Sequence, residues 1–153
     1  MDRIASFSVD HRYIVPGVYI SRVDGDVTTY DLRTRRPNTG DVMNNVQMHS
    51  TEHLFATFIR NSELKENVIY FGPMGCQTGY YLIIRDADHK KVIEVIKKTL
   101  WSIMSYDGPM PGKSEIECGN FANLDVGAAK DDCRRYYNAI KNITKDDLAY
   151  PTV

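Results

Sequence analysis

Along "GVYISRVDGDVTTYDLR" (Gly17 to Arg33) apolar and polar residues alternate, Val18 and Ile20 on one arm, Tyr30 and Leu32 on the other. A period of two predicts a pair of strands, with the turn at Asp24-Gly25. The pattern then changes to a helical period from about Val46 to Arg60, where Leu54, Phe55, Phe58 and Ile59 make an apolar face. "NVIYF" (Asn67 to Phe71) and "YYLIIRD" (Tyr80 to Asp86) read as two more strands around the glycine-rich "GPMGCQTG". A second helix follows, capped by Asp86 or Asp88, with Val92, Ile93, Val95, Ile96, Leu100, Ile103 and Met104 on its apolar face. "YDGPMPGKSEIECGNF" has loop chemistry, and a last helix is expected from near Asp125 to Lys141. Hairpin-like pairs alternating with long amphipathic helices predict an α+β two-layer sandwich, an antiparallel sheet packed by helices on one face. With no linker-like stretch or internal repeat, residues 1–153 read as one domain.

Composition narrows the function classes. A formal net charge of -1 gives no reason to expect a nucleic-acid partner. No apolar run has membrane-spanning length, so no membrane partner is expected. "MDRIASFSVDHRY" lacks the apolar core of a secretory signal, which makes a cytoplasmic location the expectation. Cys76, Cys118 and Cys133 are odd in number and scattered, which favours metal binding or catalysis over a disulfide framework.

Candidate chemistry begins at "HSTEH", His49 to His53. On a helix at about 100° per residue, His53 falls roughly 40° from His49, and Glu52 roughly 60° to the other side. Two imidazoles at that spacing can chelate one metal, and the carboxylate beside them can move protons. The same residues also suit a solvated polar face. A third ligand has to come from elsewhere. Glu94 is one possibility, but it sits among apolar residues with a surface pattern. Cys118, in the loop "IECGNF", is the better candidate. Cys76, flanked by glycines in "PMGCQTG", suits an acid or base near neutral pH, although a tight turn explains it too. Cys133 reads as structural and His89 as an exposed residue at a helix start.

Three segments taken together, "SFSVDH", "HSTEH" and "PMGCQTGYY", resemble the LuxS family of S-ribosylhomocysteine lyases, and "YDLRTRRPN" and "ECGNFANLDVGAAK" extend the likeness over nearly the whole chain. The resemblance implies one divalent metal per subunit on His49, His53 and Cys118, usually iron(II), with zinc or cobalt as substitutes. It implies Glu52 and Cys76 as the two general acid/base residues. Ser6, His11 and Arg33 would line the substrate site from the partner subunit of a homodimer, and Arg60 would lie near the amino-acid end of the substrate. The implied substrate is S-ribosylhomocysteine. The implied products are homocysteine and dihydroxypentanedione, precursor of the autoinducer-two signal, formed by carbonyl migration and β-elimination without a redox cofactor.

The chain departs from the family pattern at several positions. Thr51 stands where leucine is usual, and Thr34, Arg35 and Arg36 replace a Phe-x-Gln stretch. Tyr70 and Gly72 replace an acidic residue and a serine in a segment that contacts the homocysteine moiety. These changes are expected to bear on substrate affinity more than on reaction type. A small inverted-motif zinc metallopeptidase is the rival enzyme. It explains "HSTEH" but leaves Cys76 and Cys118 idle. A catalytically silent metal-binding relative is a third reading, and the presence of both Glu52 and Cys76 counts against it.

Overall fold

A computed structural model describes residues 1–152 of the chain. Strands β1 (Gly17–Asp24) and β2 (Val27–Arg33) are followed by helix α1 (Asn45–Arg60), strands β3 (Val68–Pro73) and β4 (Gly79–Arg85), and helices α2 (His89–Met104) and α3 (Val126–Ile140). Short 3-10 turns lie at Ala5–Phe7, Phe121–Asn123 and Lys145–Asp147. The order is the one the periodicity predicts. The hairpin turn sits one residue later than expected: Asp24 pairs with Val27, and Gly25 leads the two-residue loop at φ 60°, as type II′ turns require.

The four strands form one antiparallel sheet in the order β1-β2-β4-β3. Alternation then sorts side chains by face. Tyr30 and Leu32 of β2 and Tyr80, Leu82 and Ile84 of β4 enter one core with Leu54, Phe55 and Ile59 of α1 and with Val92, Val95, Ile96, Leu100 and Ile103 of α2. Phe55, Phe71 and Tyr80 stack in series, with centroids 4.2 and 5.0 Å apart. α3 joins through Ala129, Tyr136 and Ile140, and Tyr136 Oη donates to Gly17 O at 2.7 Å, tying α3 to the start of β1. This is the two-layer α+β arrangement the sequence predicts. Glu94 is exposed on α2, as its position suggested.

One sequence expectation needs correction. His89 is half-buried rather than exposed, and its Nδ1 meets the phenol of buried Tyr30 at 2.5 Å. Thr34, Arg35 and Thr51 are all buried. Thr34 and Thr51 line a small cavity with Tyr80, Asp132 and Cys133. Arg35 forms an ion pair with Asp132, both nearly solvent-free. A buried arginine needs such a partner, because an unpaired charge there would cost several kcal/mol, on the order of 3–5. Thr34, Arg35 and Thr51 thus meet in one polar cluster between β2, α1 and α3. Cys133 lies at its edge, 2% exposed, its thiol pushed up to about 12 chiefly by burial, which agrees with a structural role.

Candidate metal centre and thiol loop

Every residue of "HSTEH" has a distinct job in α1. Asn44 starts the helix with a reciprocal capping box: its side chain accepts from Gln47 N, and the Gln47 side chain accepts from Asn44 N, both at 2.8 Å. Ser50 is solvent-free and accepts from Asp125 N at 2.8 Å, which locks α1 to the start of α3. Thr51 faces the core. His49, Glu52 and His53 are half-buried.

His49, His53 and Cys118 converge, each offering one ligand atom, all within 4.8 Å of one another. Cys118 Sγ lies 3.3 Å from His49 Nε2. The protein also fixes which ring nitrogen faces the centre. His49 Nδ1 meets Asn123 Oδ1 at 2.5 Å, and the Asn123 amide nitrogen is engaged by Asn45 Oδ1, so the oxygen is the end turned to the ring. His53 Nδ1 meets the Pro111 carbonyl at 2.9 Å. Both acceptors require a protonated Nδ1, which leaves both Nε2 lone pairs free to bind a cation. Asn120 N donates to Cys118 Sγ at 3.4 Å. Two imidazoles and a thiolate fit a divalent transition metal such as iron(II) or zinc. Gly112 makes the close approach possible: it holds φ 72°, and a Cβ there would meet His53 Nδ1 at 2.9 Å.

Asn123 and Pro111 escaped the sequence reading. The only signal for Asn123 was its place in the polar "GNFANLD" following Cys118. Asn123→Ala is expected to lower metal affinity about 10- to 100-fold with the fold intact. Competition with a chelator reads the change directly, and affinity equal to wild type would show that the amide does not orient His49.

Cys76 occupies a tight turn between β3 and β4 and is exposed. The left-handed residue there is Gln77, at φ 64°, and neither flanking glycine. Gln77 is held by three bonds: its N to Met74 O at 3.0 Å, Met43 N to its carbonyl at 2.9 Å, and its side-chain amide to Met43 O at 2.8 Å. Those bonds offset the cost of the conformation and fasten the thiol loop to the residue preceding the α1 cap. The Cys76 sulfur lies 3.0 Å from Thr78 Oγ1 and 3.9 Å from Arg33 Nη1. Arg33 is buried and doubly bonded to Asp31; burial opposes its charge, but Asp31 more than compensates and its pKa is raised. Gly79, paired with Arg33, admits this close packing, since a Cβ there would sit 2.7 Å from Leu32 O.

The remaining candidates lie apart from the metal group within this chain. Ser6 lines a hollow on the sheet's other face with Ser21, Thr29, Tyr70, Tyr81 and Ile83. His11 Nδ1 meets Val9 O at 2.9 Å. Arg60 donates to Val68 O and Ile69 O, at 3.5 and 3.1 Å, and so braces β3. Tyr70 is half-exposed with its ring over Gly72, in the space a side chain at 72 would take, so those two departures are one change in two places. No helix among the described residues is long and apolar enough to cross a membrane.

The family model described as S-ribosylhomocysteinase (LuxS) matches residues 4–147. The S-ribosylhomocysteine lyase of Finegoldia magna is 44% identical over 156 residues, covering 99% of each chain. That of Clostridium beijerinckii is 41% identical over 158 residues, also covering 99% of each. That of Borreliella burgdorferi is 38% identical over 157 residues, covering 99% of this chain and all of its own.

Proposed function

The chain belongs to the S-ribosylhomocysteinase (LuxS) family, and on that premise we propose that it is a lyase that cleaves the thioether of S-ribosylhomocysteine. The products are homocysteine and dihydroxypentanedione, the autoinducer-two precursor. The observation that carries the reading is the pairing of a His49–His53–Cys118 group with an exposed thiol, Cys76, set beside an arginine. The whole of 1–153 acts as one catalytic domain.

A divalent metal bound by His49, His53 and Cys118 would supply the positive charge that acidifies the carbons next to the sugar carbonyl. Iron(II) is the metal we propose, with zinc or cobalt as substitutes. Glu52 and Cys76 move the protons. One takes a proton from carbon and the other returns one to the neighbouring position, and each exchange shifts the carbonyl one carbon along the chain. After two shifts the carbonyl lies β to the carbon bearing sulfur. Loss of the intervening proton then breaks the carbon–sulfur bond, and homocysteine leaves as thiolate and is protonated. No water is added and no electrons are exchanged with a cofactor.

We assign Ser6, His11, Arg33 and Arg60 to substrate binding, with the sites at the interface of a homodimer. A sheet with one face away from the helices, where half-exposed Tyr70 and exposed Ile4 line one hollow, supports such an interface. Because Arg33 and Cys76 are neighbours in one chain, whichever subunit brings Arg33 to a site brings Cys76 with it. Three free cysteines, two of them in proposed chemistry, fit a reducing compartment and a cytoplasmic location.

The test is anaerobic incubation of metal-loaded protein with S-ribosylhomocysteine and a thiol reagent. One free thiol per substrate consumed is expected. No thiol from fully metallated protein would overturn the reading.

A further inference from the structure

The tail beyond α3 returns to the thiol loop. Tyr150 stacks on Tyr19 of β1, with centroids 4.9 Å apart and planes 23° from parallel. Its Oη donates to Asp31 Oδ2 at 2.8 Å. The same oxygen accepts from Arg33 Nη2 at 2.6 Å, and Asp31 Oδ1 accepts from Arg33 Nε at 3.1 Å. That fork fixes the guanidinium plane. Its remaining nitrogen, Nη1, donates to Thr78 Oγ1 at 2.8 Å and points at the Cys76 sulfur. An unbroken string of polar contacts therefore runs from the tail to the thiol.

Resting on the reading of Cys76 as a proton shuttle, we propose that Tyr150 is a positioning residue for that thiol, acting through Asp31 and Arg33. The phenol takes up part of the Asp31 charge and holds the carboxylate in place, so Arg33 keeps its free edge turned to Cys76. The titratable groups facing this string are Tyr19 of β1, Tyr81 of β4, Tyr136 of α3 and Tyr150 itself. Burial, first among the causes, raises the pKa of all four, and the Asp31 charge raises it further. They stay neutral in the working range, and Tyr150 stays a donor. The fixed charges beside Cys76 are then those of Asp31 and Arg33. With the phenol gone, more of the Asp31 charge is left uncompensated, and the Cys76 thiolate forms at higher pH.

The test compares full-length metal-loaded protein with its Tyr150→Phe variant, which keeps the ring on Tyr19 and removes only the hydroxyl. Alkylation of Cys76 by iodoacetamide is followed across neutral and alkaline pH, with peptide mass spectrometry separating it from Cys118 and Cys133. The midpoint is expected to rise by about half to one pH unit, making alkylation near neutrality about three- to tenfold slower. Thermal unfolding should stay close to wild type. An unmoved midpoint would overturn the proposal and reduce Tyr150 to a tail anchor, whatever happens to stability. If the midpoint rises but neither protein releases thiol from substrate, the lyase reading fails and the link from Tyr150 to Cys76 stands.

Discussion

Cys76→Ala is expected to cut thiol release by about two to four orders of magnitude while leaving metal content at the wild-type level. The two halves of that result separate the proton shuttle from the metal group. The Cys76 loop is held by Gln77 through Met43, and neither anchor uses the thiol, so the loop should keep its shape without sulfur. His49, His53 and Cys118 take their outer support from Asn123, Pro111 and Asn120 instead. What disappears, on the proposed mechanism, is the group assigned to give or take a proton on one face of the substrate. Single-turnover assays under anaerobic conditions, paired with elemental analysis, measure both quantities. Thiol release within a few-fold of wild type would remove Cys76 from the chemistry.

Cys118→Ala is expected to act the other way, on the metal first. Removing the residues that merely orient a ligand costs about 10- to 100-fold in affinity, so removing a ligand should cost more than about 100-fold. Two imidazoles on one helix remain, but the thiolate that balances the cation's charge is gone. Protein purified through a chelating step should therefore come out metal-poor, with thiol release at background. In cobalt-substituted protein the sulfur-to-metal charge-transfer absorption should vanish. Unchanged metal content would refute the assignment of Cys118 as a ligand.

How legible was all this in the chain? The strands and helices were, because alternation in β4 and the three-to-four spacing in α2 each match the burial found, although β2 is buried on both faces from Tyr30 to Arg33. The histidine pair was too, since helical spacing alone puts both rings on one face. Cys118 could be singled out by chemistry, but only folding sets it 3.3 Å from His49 Nε2. Asn123 and Pro111 depend on a loop that returns to α1 from far along the chain, and no local pattern encodes that return. Arg35 and Asp132 look like surface residues when each is read alone; their burial makes sense only as a pair. Asp31 had a signal that went unused, because residues two apart on a strand share a face and "DLR" sets a carboxylate beside Arg33. The tail has no periodicity, so nothing in it announced Tyr150.

The environment of the metal group has a further consequence. Its thiol, the Pro111 carbonyl, the Gly112 clearance and the Asn120 and Asn123 contacts all come from one uninterrupted stretch, while α1 contributes the two ring nitrogens and the Asn45 oxygen that holds Asn123. The centre is therefore modular in the way an antibody loop is modular. Exchanging residues around Cys118 between Pro111 and Asn123 is expected to retune metal preference while the sheet-and-helix core stays as it is.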